Sequence, residues 1–263
     1  MHDFTYHRPT RIADALKLIK KAKDGKLISG GMTMVPTMKQ RLASPSDIID
    51  LSGLKNAGIK VMKTKVTVGA GATHAEVAAS KDLARAIPAL AQLAGGIGDP
   101  HVRNKGTIGG SIANNDPAAD YPAALVALNA TVITSKRKIA ADKFFKGMFE
   151  TALSRDEIVT AVEFAVPKRA GYAKFPNPAS RYAMVGVFVA EHAREVRVAV
   201  TGAGSCVFRH AAMEKALKAN FSPDAVAGVK TPAKGLNADI HASAEYRAHL
   251  VGVMAKRAVA AAK

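Results

Sequence analysis

The stretch Gly98-Asp99-Pro100-His101-Val102-Arg103-Asn104-Lys105-Gly106-Thr107-Ile108-Gly109-Gly110-Ser111-Ile112-Ala113-Asn114-Asn115-Asp116-Pro117-Ala118-Ala119-Asp120-Tyr121-Pro122 decides how this chain is read. Within it, bare glycine backbone lies among the hydroxyls of Thr107 and Ser111, the amides of Asn114 and Asn115 and the carboxylate of Asp120. That donor and acceptor set suits a ligand carrying both phosphates and sugar hydroxyls. Its turn-forming residues read as one long loop running to Asp120, and loops of such length in a compact domain are commonly functional.

Upstream lies a second glycine segment, Leu27-Ile28-Ser29-Gly30-Gly31-Met32-Thr33-Met34-Val35-Pro36. A strand over 26–29 delivers the chain to the paired glycines and a helix-prone run, 33–42, follows at once. Backbone N–H groups at such a helix start can hold a pyrophosphate. The spacing is not Gly-x-Gly-x-x-Gly, so a Rossmann domain is not indicated.

Around these segments, residues 1–55 show a β-α-β rhythm. Phe4 and Tyr6 alternate as in a short strand, Thr10 stands as N-cap before Ala13, Leu16 and Ile19 at helical spacing, and 47–51 reads as a further strand. The unit 56–166 opens with short strands at 59–61 and 66–68. Thr73 with Glu76 forms a capping-box pattern, and an apolar helix at 87–93 breaks at Gly95-Gly96. After the loop come the apolar run 123–128 and a strand at 131–134. Pro167, Gly171, Pro176 and Pro178 mark a boundary, beyond which 167–263 reads as antiparallel strands at 183–190 and 196–201, then helices at 211–218, 223–229 and 245–262.

With 263 residues, 48% of them hydrophobic, the chain can bury a sizeable core. No run approaches the roughly 20 apolar residues that cross a bilayer, and the N-terminus lacks a secretory pattern, so the expected location is cytoplasmic. Cys206 is the only cysteine, expected as a small buried core residue. One cysteine cannot hold an iron–sulfur cluster, so any cluster must sit on a partner. The net charge of +17 comes from scattered basic residues with 5% aromatics and no tryptophan. This suits a solvated surface or a face for acidic partners better than nucleic acid. The eight histidines form no tight ligand spacing with Cys or carboxylates, and no metal site is assigned.

The Gly98–Ser111 string, continued through Asp116–Pro122, closely resembles the second FAD motif of the flavoprotein (medium) subunits of molybdenum hydroxylases, the group of aerobic carbon monoxide dehydrogenase and xanthine dehydrogenase. Ser29-Gly30-Gly31 with Thr33 resembles their first motif. Phe4–Pro9 and Asp239–Arg247 are also similar, so the resemblance spans essentially the whole chain. It implies an α+β architecture with an FAD-binding fold of the vanillyl-alcohol-oxidase type: two small α/β subdomains, 1–55 and 56–166, and a C-terminal antiparallel sheet and helix domain, 167–263.

The resemblance also implies site residues. The backbone of Leu27, Ile28, Ser29, Gly30, Gly31, Met32, Thr33 and Met34, and of Thr107, Ile108, Gly109, Gly110 and Ser111, would wrap the FAD pyrophosphate. Asp120 would accept a hydrogen bond from the cofactor, Ile97 and Val159 would pack against it, Lys174 would contact it and Tyr182 would shield the flavin ring. Met32 stands where many relatives carry a polar side chain, and Pro176–Ser180 replaces a basic stretch common before the tyrosine. No catalytic acid, base or nucleophile is expected. Electrons would pass from a molybdopterin-binding large subunit through two-iron two-sulfur clusters on a small subunit to FAD here, in a dimer of heterotrimers, and on to an external acceptor. The alternatives are a self-contained flavoprotein oxidoreductase of the same fold and, from another class, a basic nucleic-acid-associated protein.

Overall fold

A computed structural model describes residues 1–263. The first sheet is built from three short strands, β1 (Thr5–His7), β2 (Gly25–Ile28) and β3 (Asp47–Asp50), in the order β1-β3-β2 and parallel throughout. The crossovers are helices α1 (Ile12–Lys21) and α2 (Met34–Lys39). Ala15 and Ile19 of α1 are buried against Ile49 and against Ile158 from far along the chain. Thr10 is not the N-cap: Arg11 takes that position, extended and without a side-chain cap, its guanidinium engaging Asp14 at 2.8 Å instead. Phe4 lies outside β1, and Tyr6 is an exposed residue whose hydroxyl bonds Asp50 at 2.5 Å.

The second sheet is antiparallel, in the order β4-β5-β10-β6-β7. Along the chain come β4 (Ile59–Val61), β5 (Lys65–Gly69), then helices α3 (His74–Ala79), α4 (Lys81–Ala86), α5 (Pro88–Gly95), α6 (Pro100–Lys105), α7 (Ile108–Asn114) and α8 (Tyr121–Ala127). They are followed by β6 (Thr131–Thr134), β7 (Lys138–Ala140), the one-turn α9 (Ala141–Phe144), the hairpin β8 (Phe145–Gly147) and β9 (Glu150–Thr151), and β10 (Val159–Ala165). The Thr73–Glu76 capping box is formed at the head of α3.

The expected long loop is largely helical. Asp99 caps α6 through the Val102 N–H, with Pro100 at the first helical position. Thr107 caps α7, which ends at Asn115 in the left-handed region with φ 46°. Gly109 survives inside α7 because its backbone lies on Ala70, where an added Cβ would meet the Ala70 Cβ at 2.6 Å. Close packing, not a turn, accounts for the glycine.

The third sheet is a meander of β11 (Arg169–Pro176), β12 (Ala183–Glu191), β13 (Val196–Thr201) and β14 (Phe208–Arg209). Helices α10 (Ala211–Ala219), α11 (Pro223–Ala227) and α12 (Ala244–Ala260) follow. β12 is buried on both faces: Val185, Val187 and Val189 join a core with Leu250 and Met254 of α12, while Phe188 and Ala190 join the main core with α8. The main core therefore runs from the second sheet into the third. Cys206 is only half-buried, on the flank of this core, where it accepts a hydrogen bond from Asn115 Nδ2 at 3.7 Å. No helix is long and apolar enough to cross a membrane.

Candidate functional site

The two glycine segments abut. β2 delivers the chain to Ser29, and Gly31 turns it at φ 74° into α2. At Gly30 an added Cβ would sit 1.9 Å from the Lys105 carbonyl oxygen and 2.8 Å from the Gly106 Cα, so only glycine allows the segments this approach. Thr107 Oγ1 donates to Ser29 Oγ at 3.2 Å and accepts from the Gly110 N–H at 3.1 Å. The N–H groups of Gly30, Gly31, Met32 and Thr33 take no backbone partner, and all four residues line the open side of this junction.

The second segment is otherwise disposed than expected. The N–H groups of Ile108 and Gly109 bond the carbonyls of Ala72 and Ala70, and those of Gly110 and Ser111 bond Thr107. Four of the five N–H donors expected here to wrap a pyrophosphate are thus committed within the chain, Thr107 being the exception. What this segment leaves without a partner is the Thr107 N–H, the Ser111 hydroxyl and the Asn114 amide.

One cavity of about 490 Å³ runs along the junction, within the size usual for ligand sites. Every site residue expected from the sequence lines it except Ile108 and Lys174. Ile108 is fully buried in the core beneath α7. Lys174 sits behind Asp120, its Nζ 2.9 Å from Asp120 Oδ1. The cavity also takes in residues that the sequence reading did not single out for the ligand, among them Asn56, His74, Glu157 and Arg181. Their separation along the chain hides them from any spacing pattern, although the capping box at Thr73 had already fixed where His74 begins a helix.

Asp120 is 4% exposed. It accepts from the Tyr172 hydroxyl at 2.5 Å and pairs with Lys174. Burial pushes its carboxyl above the ordinary value, opposed by the Lys174 charge and the Tyr172 hydrogen bond. Lys174 Nζ is buried and makes no well-aligned hydrogen bond. Tyr182 stands at the rim, 46% exposed, placed by a tight turn around buried Asn177. Asn177 Oδ1 accepts from the Ala179 and Ser180 N–H groups, its N–H donates to the Tyr182 carbonyl, and Arg181 is left-handed at φ 62°. Burial beside Asp116 and Asp120 raises the Tyr182 phenol.

Two further groups shape the electrostatics. His74 is 5% exposed with Nδ1 unpartnered, and burial, with the Arg103 charge near it, lowers its imidazole to about 4, so it is neutral at pH 7. Glu157 is 2% exposed and accepts from Arg137, the Thr134 hydroxyl and the Ser154 N–H, which hold its carboxyl down to about 2. Free N–H groups at a helix start bind anions, the hydroxyls and amides of Ser111, Asn114 and Asn56 match sugar hydroxyls, and a buried carboxylate with an aromatic rim suits a polar flat ring. These are the donor and acceptor needs of FAD, and the residues present fit it.

Residues 2–168 match the family described as FAD binding domain in molybdopterin dehydrogenase. The nicotine 6-hydroxylase medium subunit of Paenarthrobacter nicotinovorans is 35% identical, covering 97% of this chain and 95% of that one. The carbon monoxide dehydrogenase medium chain of Hydrogenophaga pseudoflava is 31% identical, covering 98% and 96%. A solved structure of carbon monoxide dehydrogenase from Hydrogenophaga pseudoflava, lacking the Mo-pyranopterin moiety of its molybdenum cofactor, superposes with a TM-score of 0.86 at 30% identity, covering 98% of this chain and 96% of that one.

Proposed function

The chain belongs to the FAD-binding medium subunits of the molybdenum hydroxylases, oxidoreductase components of multi-subunit complexes, and we propose that it is the exit for electrons from such a complex. In this reading a molybdopterin-binding large subunit oxidises the substrate, two-iron two-sulfur clusters on a small subunit relay the electrons, and this chain passes them to an external acceptor in a dimer of heterotrimers. Bound FAD supplies the redox chemistry that joins single-electron donors to a final acceptor.

The chain's own residues bind and orient. Gly30 to Thr33 offer N–H groups to the pyrophosphate, with Ser111 and Asn114 beside them. Asp120 accepts a hydrogen bond from the cofactor. Ile97 and Val159 give apolar contact. Tyr182 covers the flavin end and limits water there, and Lys174 acts through Asp120. The three larger sheets, one within each of 1–55, 56–166 and 167–263, support a division into two cofactor-binding subdomains and a third unit that supports them.

The observation that carries this reading is the single cavity in which both glycine segments, Asp120 and Tyr182 meet. Its test is direct. The purified chain is expected to show flavin absorbance and to release FAD on denaturation, and a colourless protein that cannot be reconstituted with FAD overturns it. For the electron path, the complex from the native host is mixed rapidly with reductant. Bleaching of the clusters followed by bleaching of the flavin supports the reading, whereas isolation of the chain as a self-sufficient oxidoreductase overturns it.

A further inference from the structure

Asp120 is gripped from one side only. Tyr172 and Lys174 lie two residues apart on β11 and so share a face of that strand. Both reach the same carboxylate oxygen, Oδ1, at 2.5 Å from the Tyr172 hydroxyl and 2.9 Å from Lys174 Nζ. No other side chain donates to Oδ2, and Asp120 stands in the cavity wall. The two grips are unequal. The lysine head is badly aligned for a hydrogen bond and rides on a flexible stem, whereas the phenol has two rotatable bonds and its ring packs at a tilt of 31° against that of Phe188, centroids 5.9 Å apart.

The backbone makes room for this arrangement. On the neighbouring strand Gly186 pairs with Lys174, and a Cβ there would lie 2.5 Å from the Tyr172 hydroxyl oxygen. From β13, Thr201 Oγ1 holds the Ala119 carbonyl at 2.6 Å, and the Gly202 N–H holds the Pro117 carbonyl at 2.8 Å. The segment 117–120 is thus docked onto the end of the third sheet, with the Tyr172 hydroxyl as the contact that fixes its carboxylate.

We propose that Tyr172 is a positioning residue for the cofactor: by holding Oδ1 of Asp120, together with Lys174, it leaves Oδ2 fixed as the hydrogen-bond acceptor for FAD. The inference rests on the reading of Asp120 as a cofactor acceptor. A pre-set acceptor saves the ordering cost that a freely turning carboxylate would incur on binding. Gly186 acquires a function in the same stroke, since any side chain there displaces the phenol.

The test is titration of the flavin-free full chain with FAD, followed by quenching of flavin fluorescence, for the wild type, Tyr172→Phe, Asp120→Asn, the double variant and Gly186→Ala. Tyr172→Phe is expected to weaken FAD binding by about tenfold or more, as loss of a hydrogen bond to a charged group does. Asp120→Asn is expected to weaken it at least as much, and the double variant to be no weaker than Asp120→Asn alone, because Tyr172 acts only through Asp120. Gly186→Ala, which removes no polar group, is expected to fall in the same direction. Thermal unfolding of the flavin-free proteins separates these losses from misfolding. If Asp120→Asn binds FAD as the wild type does, the acceptor reading falls. If Asp120→Asn weakens binding but Tyr172→Phe does not, or if the two losses add, the role of Tyr172 falls.

Discussion

The Thr107 hydroxyl, which caps α7, also donates to the Ser29 hydroxyl at 3.2 Å, so one side chain both starts α7 and ties it to the glycine turn that follows β2. The two duties are separable. Ser29→Ala removes only the tie and is expected to weaken FAD binding while leaving the flavin-free protein nearly as stable. Thr107→Val removes the cap as well and is expected to cost about 1 kcal/mol of stability besides. Urea unfolding with and without FAD distinguishes them, and equal stability of the two variants contradicts this division.

Gly30→Ala is expected to yield a protein without bound flavin. The clash at 1.9 Å is with backbone, so no side-chain rotation relieves it and the glycine segments must part. Gly252→Ala is the control, since a Cβ there would meet nothing within 4 Å and the residue lies in α12, away from the cavity. The flavin-to-protein absorbance ratio after purification is the measurement. Full flavin content in Gly30→Ala sinks the prediction.

His74 makes stability depend on pH. Its folded value of about 4 lies below the ordinary 6.5, so the folded state binds fewer protons. The contribution is whole above pH 6.5 and is lost as pH falls through the window down to 4. Between pH 7 and pH 5 the loss from this group is about 2 kcal/mol. His74→Gln is expected to flatten the fall in urea midpoint over that interval, and a slope equal to the wild type's rules the imidazole out as its source.

Glu157 works in a lower window. Held at about 2 against an ordinary 4.5, it stabilises the fold above pH 4.5, and that stability disappears as pH falls towards 2. With screening at the half-exposed Arg137 discounted, Glu157→Gln is expected to cost about 2 kcal/mol at pH 7. The variant and the wild type should converge near pH 2. Calorimetric melting across that range provides the check, and parallel curves argue against it.

The regular elements were legible where one local rule governed them, as with β2, β3 and the Thr73 capping box. β11 was hidden because Gly171, Pro176 and Pro178 read as a boundary. It is an edge strand, and Pro176 stands at its end, where a missing N–H costs no ladder bond. α7 was hidden because its glycines read as a turn, and only the position of Ala70, far back in the chain, explains them. Within the site, the glycine segments, Asp120 and Tyr182 were accessible through family resemblance. Tyr172 was not: its importance comes from a partner 52 residues away and from the absence of a side chain at Gly186, and neither leaves a mark in local pattern. Lys174 was named from its sequence position, yet the pull of a buried carboxylate sets it behind the cavity wall.

The docking of residues 117–120 onto the third sheet also orders events in time. During synthesis the whole of 1–120 emerges before any of the strands that hold it, and Arg247, whose guanidinium ties the Met184 and Gly202 carbonyls at 2.7 and 3.0 Å, emerges later still. A nascent chain therefore carries both glycine segments while the Asp120 end of the pocket is still unsupported. The Asp120 end of the cavity is therefore completed only once α12 has been made, by a helix that touches no part of the cavity.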